Sequence, residues 1–183
     1  MKRRIPILLA TIFVAVCAIY FYLRPDLLFP ARTISGEVQN VLIALGDSAI
    51  ASGDVPISAV ILYGDRIVGE GYNTVVRNGN AAGHAEINAI SSAIRQIGFE
   101  SFEKLDRDSL ELVSTYEPCP MCRDAIALYR IKRVQFLKEK SIRYRLEEEM
   151  STLVYRFRER KAVPDSIQDY LFRRHPGFAK QKL

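Results

Sequence analysis

The stretch that decides the fold is LELVSTYEPCPMC, residues 110–122. Leu110 to Tyr116 is a run of β-forming and apolar residues that predicts a buried strand. Pro118 to Cys122 joins this strand to a predicted helix over 120–129. Two cysteines stand at the start of that helix, where the helix dipole favours thiolates. The stretch therefore predicts a strand that leads directly into a pair of thiolates.

A second short stretch, His84-Ala85-Glu86, opens another predicted helix over 85–97. The 27 residues between Ile90 and Pro118 suffice for the rest of this helix, a connection and a strand. The two helices are therefore expected to start side by side at one end of a sheet.

The residue types at these helix starts indicate a metal site. His84, Cys119 and Cys122 offer one imidazole and two thiolates to a tetrahedral zinc ion, and the open fourth position is typical of catalytic sites. Glu86 is placed to take a proton from a zinc-bound water and return it to substrate. Taken singly, His84 is more often a surface or core histidine, the cysteine pair a redox pair or half of a structural zinc site, and Glu86 a solvated charge. The combination is far more specific than any of its parts.

The surrounding chain alternates helices and strands. The predicted elements are a helix over 36–52, strands over 57–63 and 66–70 joined by a Gly64-Asp65 turn, a loop over 73–83, a surface connection over 98–108, a strand over 133–137, and helices over 141–161 and 164–174. The first two strands form an antiparallel hairpin, and the later ones need parallel crossovers. This order predicts an α/β fold in which a mixed sheet lies between helices.

Composition and charge exclude several classes of protein. The chain has 183 residues, of which 49% are hydrophobic, so it is neither disordered nor collagen-like. Three cysteines exclude the paired framework of a small secreted scaffold. The formal net charge is +5, yet residues 31–140 carry 12 basic and 14 acidic side chains. The basic character lies at the two ends, which argues against a basic nucleic-acid-binding core.

The N-terminal segment predicts a membrane anchor or export signal. Lys2-Arg3-Arg4 precedes Ile5 to Leu23, which are 19 residues without a charge. We expect a single-pass membrane protein with a cytoplasmic N-terminus and an exported catalytic domain. A cytoplasm-facing domain, cleavage near Val16-Cys17-Ala18 and a lipid anchor on Cys17 are the alternatives.

These motifs resemble the cytidine deaminase-like superfamily of zinc nucleobase and nucleoside deaminases over about residues 36–137. Val55 to Val60, Gly69 to Asn73 and Tyr116 to Cys122 are similar to guanine deaminases and bacterial tRNA adenosine deaminases, whereas His84 to Ile90 is closer to deoxycytidylate deaminases. Ser58 and Gly83 depart from the residues usual in the tRNA enzymes. The mixed signature indicates the chemistry better than the substrate.

The resemblance implies a hydrolase acting on C–N bonds in cyclic amidines, with Zn²⁺ held by His84, Cys119 and Cys122. Glu86 would move the proton while zinc-bound hydroxide attacks the amino-bearing ring carbon and ammonia leaves. Asn73 and the Ala85 backbone N–H would bind substrate. It further implies a three-layer α/β/α fold with a mixed sheet of about five strands, and a homodimer. The uncharged N-terminal run adds one transmembrane helix before this fold.

The predicted domains are an anchor or signal segment over 1–24, a zinc deaminase domain over 34–140 and a C-terminal helical extension over 141–183. The expected substrate is a small nucleobase or nucleoside, since the core is acidic and an exported enzyme would not meet tRNA. A tRNA or nucleic-acid adenosine deaminase is the alternative. A second alternative is a catalytically silent, membrane-tethered zinc module.

Overall fold

A computed structural model describes residues 4–23, 32–161, 164 and 166–175. The chain forms two compact units, Met1–Glu148 and Glu149–Leu183. The elements in chain order are α1 (Arg4–Leu23), α2 (Gly36–Ala51), β1 (Ser58–Tyr63), β2 (Arg66–Tyr72), α3 (Val75–Asn78), α4 (Ala85–Ile97), α5 (Phe99–Glu103), β3 (Leu110–Tyr116), α6 (Pro120–Leu128), β4 (Arg133–Lys138), α7 (Ile142–Arg158) and α8 (Ser166–Arg174). The predicted alternation of strands and helices is confirmed.

The sheet of the first unit has the order β2-β1-β3-β4. β1 pairs antiparallel with both β2 and β3, and β3 pairs parallel with β4. The hairpin at Gly64, which has a φ of 61°, and the parallel crossover are therefore confirmed. The described residues form four strands in this sheet, not about five, because the residues after β4 fold into α7. The sequence itself indicated only four strands, and the fifth came from the resemblance.

Apolar side chains fill both faces of the sheet. Ala59 and Ile61 of β1 pack with α4 and α6 on one face, and the alternate residue Val60 packs with α2 on the other. This alternation follows from the two-residue period of a strand. The result is a mixed sheet covered by helices on both faces.

Helix α4 lies unusually close to β2. A Cβ atom on Gly69 would come within 2.4 Å of the Ala89 carbonyl oxygen, and one on Gly71 within 2.3 Å of the Ala85 carbonyl oxygen. Only glycine allows the backbones to approach so closely. The two glycines thereby bring the first turn of α4, which follows His84, down onto the sheet.

The predicted membrane localisation is wrong, and the predicted transmembrane helix is not supported. In the part of the chain that the structure describes, no helix is both long enough and apolar enough to cross a membrane. The membrane partner assigned to residues 5–23 and the exported catalytic domain are not supported.

Two further expectations differ from the structure. The connection over 98–108 contains α5, whose Phe102 is fully buried against Tyr129 and beneath the Arg107 guanidinium. The sequence of α7 has apolar residues at the spacing of a core-facing stripe, yet all of them are exposed and none of the residues of this helix is buried. This apolar stripe consists of Ile142, Leu146, Met150, Leu153, Val154 and Phe157. Periodicity identified both apolar groups, but burial depends on what packs against them.

Candidate metal centre

The topology brings the two helix starts together. β2 and β3 both run opposite to β1, so their carboxyl ends lie at the same edge of the sheet. His84 follows β2 through a loop and immediately precedes α4. Cys119 follows β3 and immediately precedes α6, which begins with Pro120. The positive ends of two helix dipoles therefore meet where the thiols lie.

The three predicted ligands form a nearly equilateral triangle. His84 Nδ1 lies 3.5 Å from both Cys119 Sγ and Cys122 Sγ, and the two sulfurs are 3.5 Å apart. A disulfide would need about 2.0 Å. With bonds of about 2.3 Å to sulfur and about 2.0 Å to nitrogen, tetrahedral Zn²⁺ needs about 3.8 Å between sulfurs and about 3.5 Å between sulfur and nitrogen. The donor triangle fits Zn²⁺ to within a few tenths of an ångström.

The charges of the site also favour a cation. The hydrogen bond between the Cys119 and Cys122 sulfurs lowers the pKa of Cys119 to about 5, and the charges of His84 and Lys140 act in the same direction. The pKa of Cys122 is raised, because it shares a hydrogen bond with Cys119, is buried and faces the Glu86 carboxylate. By itself the pocket stabilises one thiolate, and a bound cation is needed for the second.

Glu86 lies beside the ligand triangle, as its position two residues after His84 suggested. Its side chain is only 3% exposed, and its Oε2 atom lies 3.4 Å from Cys122 Sγ. Burial raises the pKa of Glu86 above its usual value. A carboxyl group with a raised pKa is suited to both accepting and returning a proton.

Asn73 and Ala85 contact each other. The Ala85 backbone N–H donates to Asn73 Oδ1 at 2.9 Å, and the Asn73 side chain is buried. Within the described residues Asn73 Nδ2 donates no hydrogen bond. The structure thus brings the two expected substrate contacts together, but it leaves the amide hydrogens of Asn73 rather than the Ala85 N–H available as donors.

Sequence reasoning missed two residues that hold the loop between β2 and His84. Asn88 Nδ2 donates to the Tyr72 carbonyl at 2.8 Å and to Thr74 Oγ1 at 3.0 Å. Asp54 accepts the Val76 N–H at 2.7 Å at the start of α3. Asn88 stood in a quoted motif without a role, whereas Asp54 is remote in sequence and no local pattern indicated its contact.

A mixed α/β fold with one histidine, two cysteines and an adjacent carboxylate at the helix starts defines a zinc-dependent hydrolytic deaminase. The chain belongs to the family described as the cytidine and deoxycytidylate deaminase zinc-binding region, which matches residues 36–138.

Relatives within this class differ in substrate. The chain is 33% identical over 107 residues to tRNA-specific adenosine deaminase 2 of Xenopus laevis. The aligned region covers 56% of this chain and 61% of that protein. The chain is 37% identical over 101 residues to the tRNA-specific adenosine deaminase of Haemophilus influenzae, covering 55% and 56%. The chain therefore spans about 60% of the length of these relatives. The structure of guanine deaminase from Bacillus subtilis is 24% identical with a TM-score of 0.58, covers 82% of this chain and 99% of that one, and shows the fold alone.

Proposed function

We propose that this zinc-dependent deaminase acts on an adenosine of tRNA. The observation that carries the deaminase chemistry is the ligand triangle of His84, Cys119 and Cys122 with the buried Glu86 carboxylate beside it. Similarity at 33–37% identity to tRNA-specific adenosine deaminases supports the choice of substrate.

Two considerations favour tRNA over the small nucleobase or nucleoside first expected. The argument from an exported domain no longer holds, since the predicted anchor is not supported. The C-terminal unit also carries exposed aromatic and cationic residues near one another in sequence, since Tyr155 and Phe157 are 66% and 72% exposed and are followed by Arg156 and Arg158. Aromatic rings stack on bases, and cationic side chains neutralise phosphates. The net negative charge of residues 31–140 argues against an RNA substrate.

We assign His84, Cys119 and Cys122 as the residues that hold Zn²⁺. When bound, Zn²⁺ supplies a Lewis acid that activates the attacking water at neutral pH. Glu86 accepts a proton from that water as its oxygen attacks C6 of adenine, and it delivers a proton to ring N1. A second proton transfer through Glu86 lets the C6 amine leave as ammonia, so adenosine and water become inosine and ammonia.

Asn73 orients the base in this proposal. Its buried amide is held by the Ala85 N–H at 2.9 Å, so the amide hydrogens on Nδ2 are the donors offered to the substrate. Ala85 then acts through Asn73. This differs from the direct contact by the Ala85 N–H that the resemblance implied.

The domain bounds and the oligomeric state stay predictions. The family match over residues 36–138 supports the proposed deaminase domain over 34–140, and the helical extension over 141–183 is proposed from the sequence pattern. A homodimer is expected from the resemblance, and light scattering of the purified protein tests it.

Ammonia release and inosine formation by the purified, zinc-loaded chain test the proposed function. The substrates are a mixed tRNA pool, free adenosine, guanine, cytidine and deoxycytidylate, with mass spectrometry to detect inosine in digested tRNA. The control is Glu86→Gln, which retains the zinc ligands.

Inosine in tRNA with the unchanged chain, and none with Glu86→Gln, is the expected result. Release of ammonia from a free base or nucleoside, but not from tRNA, would refute the tRNA proposal and support a small-molecule substrate. No ammonia from any substrate by a zinc-loaded chain would favour the silent module.

A further inference from the structure

A buried cluster of charges lies behind the cysteine loop. Glu117 stands two residues before Cys119, and its side chain is 11% exposed. The backbone N–H of Lys140 donates to Glu117 Oε2 at 2.8 Å, while the backbone N–H of Glu117 donates to the Lys138 carbonyl at 2.9 Å. The segment leading to Cys119 is thus tied to the end of β4 by both its backbone and its side chain.

Lys140 carries this connection on to α7. Its side chain is 3% exposed, and its ammonium donates to both carboxylate oxygens of Glu148, at 2.7 and 2.9 Å. The ammonium also lies 5.4 Å from the centre of the Tyr144 ring. A buried ammonium needs such compensation, because burial of an unpaired charge is strongly unfavourable.

A second cation strengthens the same arrangement. Arg145 Nε lies 3.8 Å from Glu117 Oε2, and its guanidinium contacts Glu139 at 3.2 Å. The side chains of Tyr144, Arg145 and Glu148 are spaced to share one side of the first two turns of α7. These turns therefore hold the residues that precede Cys119.

We propose that Glu117, Lys140 and Glu148 are positioning residues of the zinc site, and that the first two turns of α7 belong functionally to the metal centre. Glu117 fixes the approach of the chain to Cys119, Lys140 fixes Glu117 through its backbone, and Glu148 neutralises and anchors Lys140. The inference rests on the proposed ligand role of Cys119. It assigns to the start of the C-terminal extension a role in positioning the zinc site, which the sequence did not indicate.

Tight zinc binding requires ligand atoms in place to within about 0.2 Å. If Glu117 loses its oxygen acceptors, the Lys140 N–H loses its partner and the Cys119 loop is released at its base. If Glu148 loses its charge, the Lys140 ammonium stays buried without the carboxylate that neutralises it. Both changes should weaken zinc binding by displacing Cys119, although neither Glu117 nor Glu148 is a proposed ligand of the ion.

The test measures the zinc dissociation constant of the full chain by competition with a chromophoric chelator. It also records the thiolate-to-metal and d–d absorption bands at saturating Co²⁺. The variants are Glu117→Ala, Glu117→Gln and Glu148→Gln. The matched control is Glu147→Gln on the same helix, because Glu147 forms its ion pair with Arg143, whose side chain is exposed.

Glu117→Ala should weaken zinc binding about tenfold and shift the Co²⁺ bands, as loss of an outer-sphere contact does. Glu117→Gln should recover most of the affinity, because its amide oxygen still accepts the Lys140 N–H. Glu148→Gln should weaken binding several-fold, and Glu147→Gln should match the unchanged chain.

Unchanged affinity and spectra in Glu117→Ala, or equal effects of Glu148→Gln and Glu147→Gln, would overturn the inference. If Glu117→Ala does not fold, the comparison of Glu148→Gln with Glu147→Gln decides it. Failure of the unchanged chain to bind zinc would instead refute the ligand assignment, and with it the proposed function.

Discussion

The contact between Gly71 and α4 allows the arrangement of the site to be perturbed without touching a ligand. In Gly71→Ala the added Cβ would lie 2.3 Å from both the Ala85 carbonyl oxygen and the Ala89 nitrogen, and 2.8 Å from the Asn88 carbonyl carbon. All three atoms belong to the backbone, so no side chain can rotate to make room. Ordinary contact requires a separation of about 3.5 Å, so the start of α4 must move by about 1 Å.

This displacement acts on both stability and metal binding. Overpacking of this kind typically costs about 1–3 kcal/mol, which lowers the midpoint of thermal unfolding by roughly 3–10 °C in a chain of this length. His84 and Glu86 move with the start of α4 relative to the cysteines on α6. Since zinc tolerates ligand shifts of only about 0.2 Å, we expect zinc affinity to fall at least about tenfold. Differential scanning fluorimetry and chelator competition measure the two effects.

Gly46→Ala is the matched control. Gly46 lies within α2, and nothing approaches the position of its missing Cβ within 4 Å. This change should leave zinc affinity unaltered and raise the free energy of unfolding by about 0.4–1 kcal/mol, because alanine restricts the unfolded chain. If Gly71→Ala unfolds and binds zinc like the unchanged protein, the close approach of α4 to β2 does not govern the site.

Three other predictions follow from the same structure. Cys119→Ala should lose both zinc, measured by atomic absorption, and ammonia release, whereas Glu86→Ala should keep the metal and lose only the reaction; retained activity in Glu86→Ala would refute its proton-transfer role. Phe102→Ala should lower the free energy of unfolding by about 3–5 kcal/mol, because it removes a fully buried ring, and denaturant titration measures this; a loss below 1 kcal/mol would contradict its place in the core. Burial alone would raise the pKa of Asp54, but donation from the Val76 and Arg77 N–H groups lowers it below the usual value of 3.8. Its stabilising contribution is present above that value and fades as the pH falls through the lower pKa of the folded state, so melting curves of Asp54→Asn should show a smaller loss of stability in acid than those of the unchanged protein; parallel curves would contradict this.

The three side chains proposed to bind zinc could be identified from the sequence because their chemistry is local. Cys119 and Cys122 share one helix start, and the spacing from His84 left room for one strand between two helices. Ligand type and spacing together leave few alternatives, so the structure places these side chains 3.5 Å apart as expected. The same locality explains why the hairpin at Gly64 was predicted correctly.

The sequence predictions were wrong where the burial of a side chain had to be inferred from an apolar pattern. The stripe on α7 has the spacing of a core-facing helix, yet Met150 and Phe157 are 56% and 72% exposed. The segment over 98–108 is rich in polar residues and was predicted to lie at the surface, yet its Phe102 is buried. Periodicity reports which side chains share a face, but it does not report what lies opposite that face.

The amino-acid sequence by itself determined the ligand types, the order of strands and helices, and the deaminase chemistry that they indicate. Tertiary structure alone decided that Asn73 holds the Ala85 N–H, that Asp54 anchors α3 and that Lys140 lies buried between Glu117 and Glu148. The physical reason is the range of the interactions. Ligand spacing within a helix start follows from backbone geometry, whereas a buried polar group is satisfied by whichever partner the folded chain brings to it.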